Sequence, residues 1–150
     1  MISAKPEFAG NFLIMSIQRY ASTPLLVTIV AAVAGFLYCL TAARDIVVGD
    51  SPDLITAAVT LGVAHPPGYP LFTMLGHLFS LFPVGPIPFR VNLLSVVCNA
   101  LTAGVVFLTA LRLSGSRIAA VLAALVLALN PTFWRWSLAA EVFPDRKSVV

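Results

Sequence analysis

The side chains that could carry polar chemistry in this chain are few: Asp50, Asp53, His65, Arg90 and Glu141. Three of them fall in the stretch GDSPDLITAAVTLGVAHPPGYPLF, residues 49–72. A carboxylate placed beside a helix start and a stiff turn can act as a general base, because burial and low dielectric tune its pKa. The structural alternative is that Asp50 and Asp53 cap a helix and interact with its dipole. His65 can be a general acid–base group, a phosphate contact or a turn residue. Arg90 can clamp a phosphate, since guanidinium matches phosphate oxygens in bidentate fashion. It can equally anchor a helix at a membrane interface with its stem snorkelling. Glu141 is either a second acidic group or a solvated one. His77, with no polar neighbours nearby in sequence, reads as a packed or interfacial histidine.

These residues sit in a very apolar chain. Its 150 residues are 59% hydrophobic and 10% charged, with a mean hydropathy of +0.98. Soluble domains carry roughly 25% charged residues. A soluble fold of this length still exposes about 30% of its unfolded area and could not hide so much apolar surface. Lipid is the expected solvent. The net charge of +3 is spread along the chain, which argues against a nucleic-acid partner and for charges that set topology. Cys39 and Cys98 lie inside apolar runs and read as reduced membrane residues. No P-loop, Rossmann glycine pattern, zinc spacing or nucleophile elbow occurs.

A bilayer span takes about 20 apolar residues. Tyr20–Ala43 and Val91–Leu111 qualify, and Ile118–Trp134 does so when extended to Leu138. Trp134 and Trp136 suit an interfacial aromatic belt. The first run is longer than the roughly 7–15 residues of a signal peptide core, so an uncleaved anchor is expected. Lys5 and Arg19 precede it and place the N-terminus in the cytoplasm.

Leu71–Phe82 is a fourth apolar piece, about 18 Å long as a helix. That is short for a span and typical of a re-entrant or interfacial helix. If it stays on the outer surface, the Arg112–Arg117 turn falls inside, as the positive-inside rule prefers. The expected fold is therefore all-α and integral to the membrane. It has three transmembrane helices, or four if Leu71–Phe82 crosses, and two interfacial helices in the first external loop. Asp50, His65 and Glu141 then share one side of the membrane.

Within that loop, Ser51 is expected as N-cap, with Pro52 at the first helical position and Asp53 in the first turn. Leu54, Ile55, Ala58, Val59 and Leu61 make one side apolar, and Gly62 marks the stop. Pro66, Pro67 and Pro70 then exclude a helix interior, and Gly68 permits a sharp bend. Asn92, Ser95 and Asn99 recur at helical spacing below Arg90, a pattern that usually serves helix packing.

Together, GDSPDLITAAVTLGVAHPPGYPLF, RVNLLSVVCNAL and FWRWSLAAEVF resemble the start of a membrane family found in bacteria and eukaryotes. Its eukaryotic members include protein O-mannosyltransferases. The resemblance runs from Val27 to Phe143, and HPPGYP is its most specific string. It implies part of a C-type glycosyltransferase fold. It also implies transfer of a sugar, such as mannose, from a polyprenyl-phosphate carrier to a protein or glycan acceptor outside the cytoplasm.

Asp50 matches the catalytic base of such enzymes and Asp53 a second acid. His65 matches the histidine of HPPGYP, Arg90 an arginine near the lipid phosphate, and Glu141 the AEV motif. The lipid-linked sugar is a substrate, so no cofactor is expected, and the residues do not specify a metal. A bacterial cytoplasmic membrane is the expected location. Family members are longer, and the tail at residues 144–150 departs from their pattern. The chain is thus expected to be one membrane domain, the N-terminal portion of a multi-span enzyme and inactive alone. Other classes remain: a transporter or flippase component, or a non-catalytic membrane subunit. A transporter would be expected to hold ionisable groups within its spans.

Overall fold

The computed structural model describes residues 6–141, with side chains described from Thr23 onward; the tail at 144–150 lies outside the described residues. The described chain is all-helical: α1 (Pro6–Thr41), α2 (Ser51–Thr60), α3 (Pro70–Ser80), α4 (Ile87–Ser114), α5 (Arg117–Ala128) and α6 (Pro131–Ser137). Within α1, Thr23–Thr41 is long and apolar enough to cross a membrane, as is all of α4. The expected third span is not straight. It is two helices, α5 and α6, bent by 66°. Pro131 cannot donate an amide to continue α5. Asn130 instead caps α6, its side chain accepting from the amides of Thr132 and Phe133. At 12 residues, α5 alone is too short to span, so the described residues hold two candidate spans, or three if the bent pair counts as one.

α1 and α4 run antiparallel and approach closely through small residues. A Cβ added at Gly104 would lie 3.3 Å from that of Ala31, and one added at Gly35 would lie 3.2 Å from that of Ala100. Each helix thus offers small residues four apart to its neighbour, the pattern that lets membrane helices touch. α4 and α5 join through Gly115 and Ser116, where the Ser116 hydroxyl accepts from Ala119 N–H and caps α5. α5 therefore returns alongside α1. Phe107, Ala120 and Ala124 pack at the α4–α5 turn. Near the opposite end, the buried Tyr38 hydroxyl donates to Ala128 O at 2.9 Å.

This arrangement collects the end of α1, the start of α4 and all of α6 at one end of the bundle. The two short helices lie there as well. α3 buries Thr73 and Gly76 and exposes Leu71, Met74 and Leu78, the apolar outer face expected of an interfacial helix. His77 is packed, its Nδ1–H donating to Ala58 O at 2.9 Å. Trp134 does not stand alone in an interfacial belt. Its ring meets Tyr38 edge-on, and its Nε1–H donates to Thr41 Oγ1 at 3.2 Å.

α2 begins one residue earlier than expected. Asp50, not Ser51, is the N-cap, and Ser51 is the first helical residue. Ser51 is fully buried and its Oγ has no hydrogen-bond partner. The helix end also differs by a residue, because Leu61 takes the left-handed position (φ 52°) expected of Gly62. Gly62 N–H then closes the turn on Ala57 O at 2.9 Å.

Candidate active site

Asp50 is a cap in position only. Its backbone is α-helical (φ −79°, ψ −8°) and its side chain makes no cap hydrogen bond. A capping side chain ordinarily reaches the first-turn amides from an extended backbone. At Asp50 the carboxylate is turned to His65 instead, with Oδ2 3.6 Å from Nε2, and the carboxylate side chain is 36% exposed.

Asp53 lies in the first turn of α2. Its Oδ2 accepts the His65 backbone N–H at 2.8 Å and lies 2.7 Å from His65 Nδ1. Asp53 is therefore a latch across 12 residues that holds the HPPGYP turn against the start of α2. The turn is further set by Gly68 N–H donating to His65 O at 2.8 Å and by a cis Pro66–Pro67 peptide. The Tyr69 ring meets the imidazole edge-on, centroids 5.5 Å apart. Beneath this surface, Leu54, Ile55, Ala58, Ala64, Val91 and Ala140 form a small apolar core that fixes α2 to α4.

The hydrogen bonds from His65, the backbone amide foremost and the imidazole next, hold the Asp53 carboxyl below its usual 3.8. A depressed carboxyl pKa contributes stability above the unfolded value and loses it as pH falls through the folded value. Asparagine mimics the protonated acid. The stability difference between the natural protein and Asp53→Asn should be full at neutral pH and vanish as pH drops below about 3.8 toward the lowered pKa. Unfolding midpoints in mixed micelles across that range measure it, and a difference that persists unchanged in acid would show that the latch does not depend on charge.

Glu141 reaches the same end of the bundle. Gly49 has φ +127°, and a Cβ there would lie 2.5 Å from Glu141 Oε1, so glycine beside Asp50 leaves the room this carboxylate occupies. The approach is organised by Asn92, fully buried on the first turns of α4. Asn92 Nδ2 donates to Ala43 O at 2.9 Å, and its Oδ1 accepts Ala140 N–H at 2.8 Å. Ala43 N–H also donates to Leu138 O at 3.0 Å. Asn92 thus clasps the chain leaving α1 to the chain leaving α6. Its spacing in the sequence suggested helix packing; its partners are the two loops that carry Gly49–Asp50 and Glu141. A lone buried amide one position from Val91 was the available signal, but nothing local names its partners.

Arg90 stands apart from this cluster. Its Nε donates to Gly85 O at 2.9 Å and its Nη1 to Ser80 O at 3.2 Å, bracing the corner between α3 and α4. Among the described residues no group of three or more His, Cys, Asp or Glu side chains is placed to hold a metal ion.

The comparisons with known proteins match this segment. Residues 50–149 match the family described as "Protein O-mannosyl-transferase TMEM260 N-terminal domain", a match that begins at Asp50. The chain is 51% identical over 118 residues to protein O-mannosyl-transferase TMEM260 of Mus musculus, covering 78% of this chain and 17% of that protein. It is 31% identical over 110 residues to protein O-mannosyl-transferase tmem260 of Dictyostelium discoideum, covering 71% of this chain and 13% of that protein. The chain therefore spans under a fifth of the length of these relatives. No solved structure matches.

Proposed function

The chain belongs to the TMEM260 N-terminal domain family of protein O-mannosyl-transferases, and on that premise we propose that it forms the catalytic entry of a membrane mannosyltransferase. The donor is a polyprenyl-phosphate mannose and the acceptor a hydroxyl group of a protein on the non-cytoplasmic side. Asp50 accepts the proton of the acceptor hydroxyl as its oxygen attacks the anomeric carbon. The bond from that carbon to the phosphate oxygen breaks on the opposite face, and the electron pair leaves with the phosphate, so the anomeric configuration inverts. Arg90 supplies positive charge toward that phosphate from the start of α4. The lipid tail stays in the bilayer, which requires a site at the membrane boundary.

The observation that carries this reading is the state of Asp50. It is a half-exposed carboxylate at a helix start that caps nothing and faces an imidazole, so it is available to a substrate. Side is argued from charge. Arg112 and Arg117 flank the α4–α5 turn at the far end of the bundle from Asp50, and paired arginines favour the cytoplasm. The two relatives are eukaryotic and lend nothing to a bacterial membrane. Asp50, Asp53 and Glu141 all lie outside α1 and α4, whereas a transporter would hold such groups within spans.

The test uses the complete natural protein in sealed, oriented vesicles with radiolabelled polyprenyl-phosphate mannose. Label is expected to pass to a protein acceptor with inverted configuration, and only when acceptor is supplied on the Asp50 face. Label that remains in lipid, or transfer from the other face, would overturn the reaction or the orientation respectively.

A further inference from the structure

We infer that His65 is a positioning residue acting through Asp50, a proton relay whose tautomer is set by Asp53; this rests on the transfer reaction proposed above. The Asp53 carboxylate has no proton to give, and its Oδ2 already accepts the His65 amide. At 2.7 Å it must also accept Nδ1–H. In the neutral imidazole the lone pair then lies on Nε2, the nitrogen that faces Asp50 Oδ2 at 3.6 Å. Aspartate, histidine and aspartate thus form a line with a defined direction, and the middle group is 39% exposed to water. Among the described residues, the titratable groups that face His65 are Asp50 and Asp53 at the start of α2 and Tyr69 of its own turn.

Such a line resets the base. The acceptor proton passes first to Asp50 as the carbon–oxygen bond forms. Asp50 must be ionised again before the next acceptor is attacked. Rotation of the Asp50 side chain closes the 3.6 Å gap to hydrogen-bond length, a tightening common when substrate binds. The proton moves from Oδ2 to Nε2, giving an imidazolium flanked by two carboxylates, and then to bulk water through the exposed ring edge. Asp50 returns to its ionised form and His65 to the Nδ1–H tautomer, so no proton is gained or lost beyond the one the acceptor released.

His65→Asn separates the relay from the latch. Its Nδ2 can occupy the place of Nδ1 and keep the hydrogen bond to Asp53, while nothing replaces Nε2. In the complete natural protein this variant should keep its melting temperature and its KM for polyprenyl-phosphate mannose. Its kcat should fall about 100-fold, and the kcat–pH profile should keep only the acidic limb that protonation of Asp50 itself imposes. In ¹⁵N-histidine spectra of the natural protein, the neutral form of His65 should carry its proton on Nδ1 and none on Nε2. Natural protein that transfers mannose while His65→Asn keeps both kcat and pH profile would sink the relay alone, as would a proton resident on Nε2. Failure of the natural protein to transfer at all would sink the mannosyl reading together with the relay built on it.

Discussion

Asp50→Asn should abolish mannosyl transfer while leaving the protein folded and in the membrane. The substitution is close to isosteric, and asparagine is as good as aspartate at a helix N-cap. Asp50 makes no side-chain cap bond in any case, so the helix loses nothing by the exchange. In the mechanism proposed above, what goes is the proton acceptor. General-base groups contribute about 10²–10⁴ in rate, and kcat should fall by that order with the melting temperature unchanged. Asp53→Asn offers the contrast. It weakens the His65 latch and leaves the Asp50 carboxylate in place, so it should reduce kcat by less. Initial rates from labelled donor distinguish the two, and normal turnover by Asp50→Asn removes Asp50 from the base role.

The largest expected effect on stability belongs to Asn92→Leu. Leucine is close in size and suits an apolar helix, so a packing role alone would survive it. The clasp does not. Ala43 O, half-buried, loses the Nδ2 donor, and Ala140 N–H, in buried surroundings, loses its Oδ1 acceptor. Leaving a buried polar group unpaired costs about 1–3 kcal/mol. The loss at Ala140 alone is an appreciable part of the roughly 5–15 kcal/mol that holds a domain together. The unfolding midpoint should drop accordingly, and transfer should drop with it, because Glu141 loses its place beside Gly49. Asn92→Asp keeps the acceptor for Ala140 but buries a carboxylate against Ala43 O, so it should be no milder than Asn92→Leu. An unchanged midpoint in Asn92→Leu would show that the loops find their positions without the clasp.

Much of the architecture was legible because it is written in neighbouring residues. Apolar runs between arginines marked the spans. Pro52 and Asp53 marked the start of α2, and the shortness of Leu71–Phe82 marked α3 as a helix that does not cross. The errors were also local. Ser51 and Asp50 have comparable cap chemistry, and the backbone turns one residue earlier than expected and buries Ser51. Asn130 and Pro131 are a cap and a breaker in plain sequence, and the uncharged run from Ile118 to Trp134 concealed the 66° bend.

The residue order therefore settles where this chain is apolar, where its helices start and stop, and which few side chains have acid–base chemistry. Hydropathy, capping and proline geometry depend on residues within a turn or two of one another. It does not settle which of those side chains meet. Asp53 and His65 are 12 residues apart, and Asn92 reaches Ala140 across 48. These pairings follow from how far α4 extends, from the close α1–α4 contact that small residues permit, and from the bend that returns α6 to the end of α1. From spacing alone, either aspartate could cap α2 or do chemistry, with capping the stronger reading for Asp53. Folding divides them, because only one lies within reach of the His65 amide: Asp53 holds the turn, and Asp50 is left facing Nε2 with its carboxylate open to a substrate.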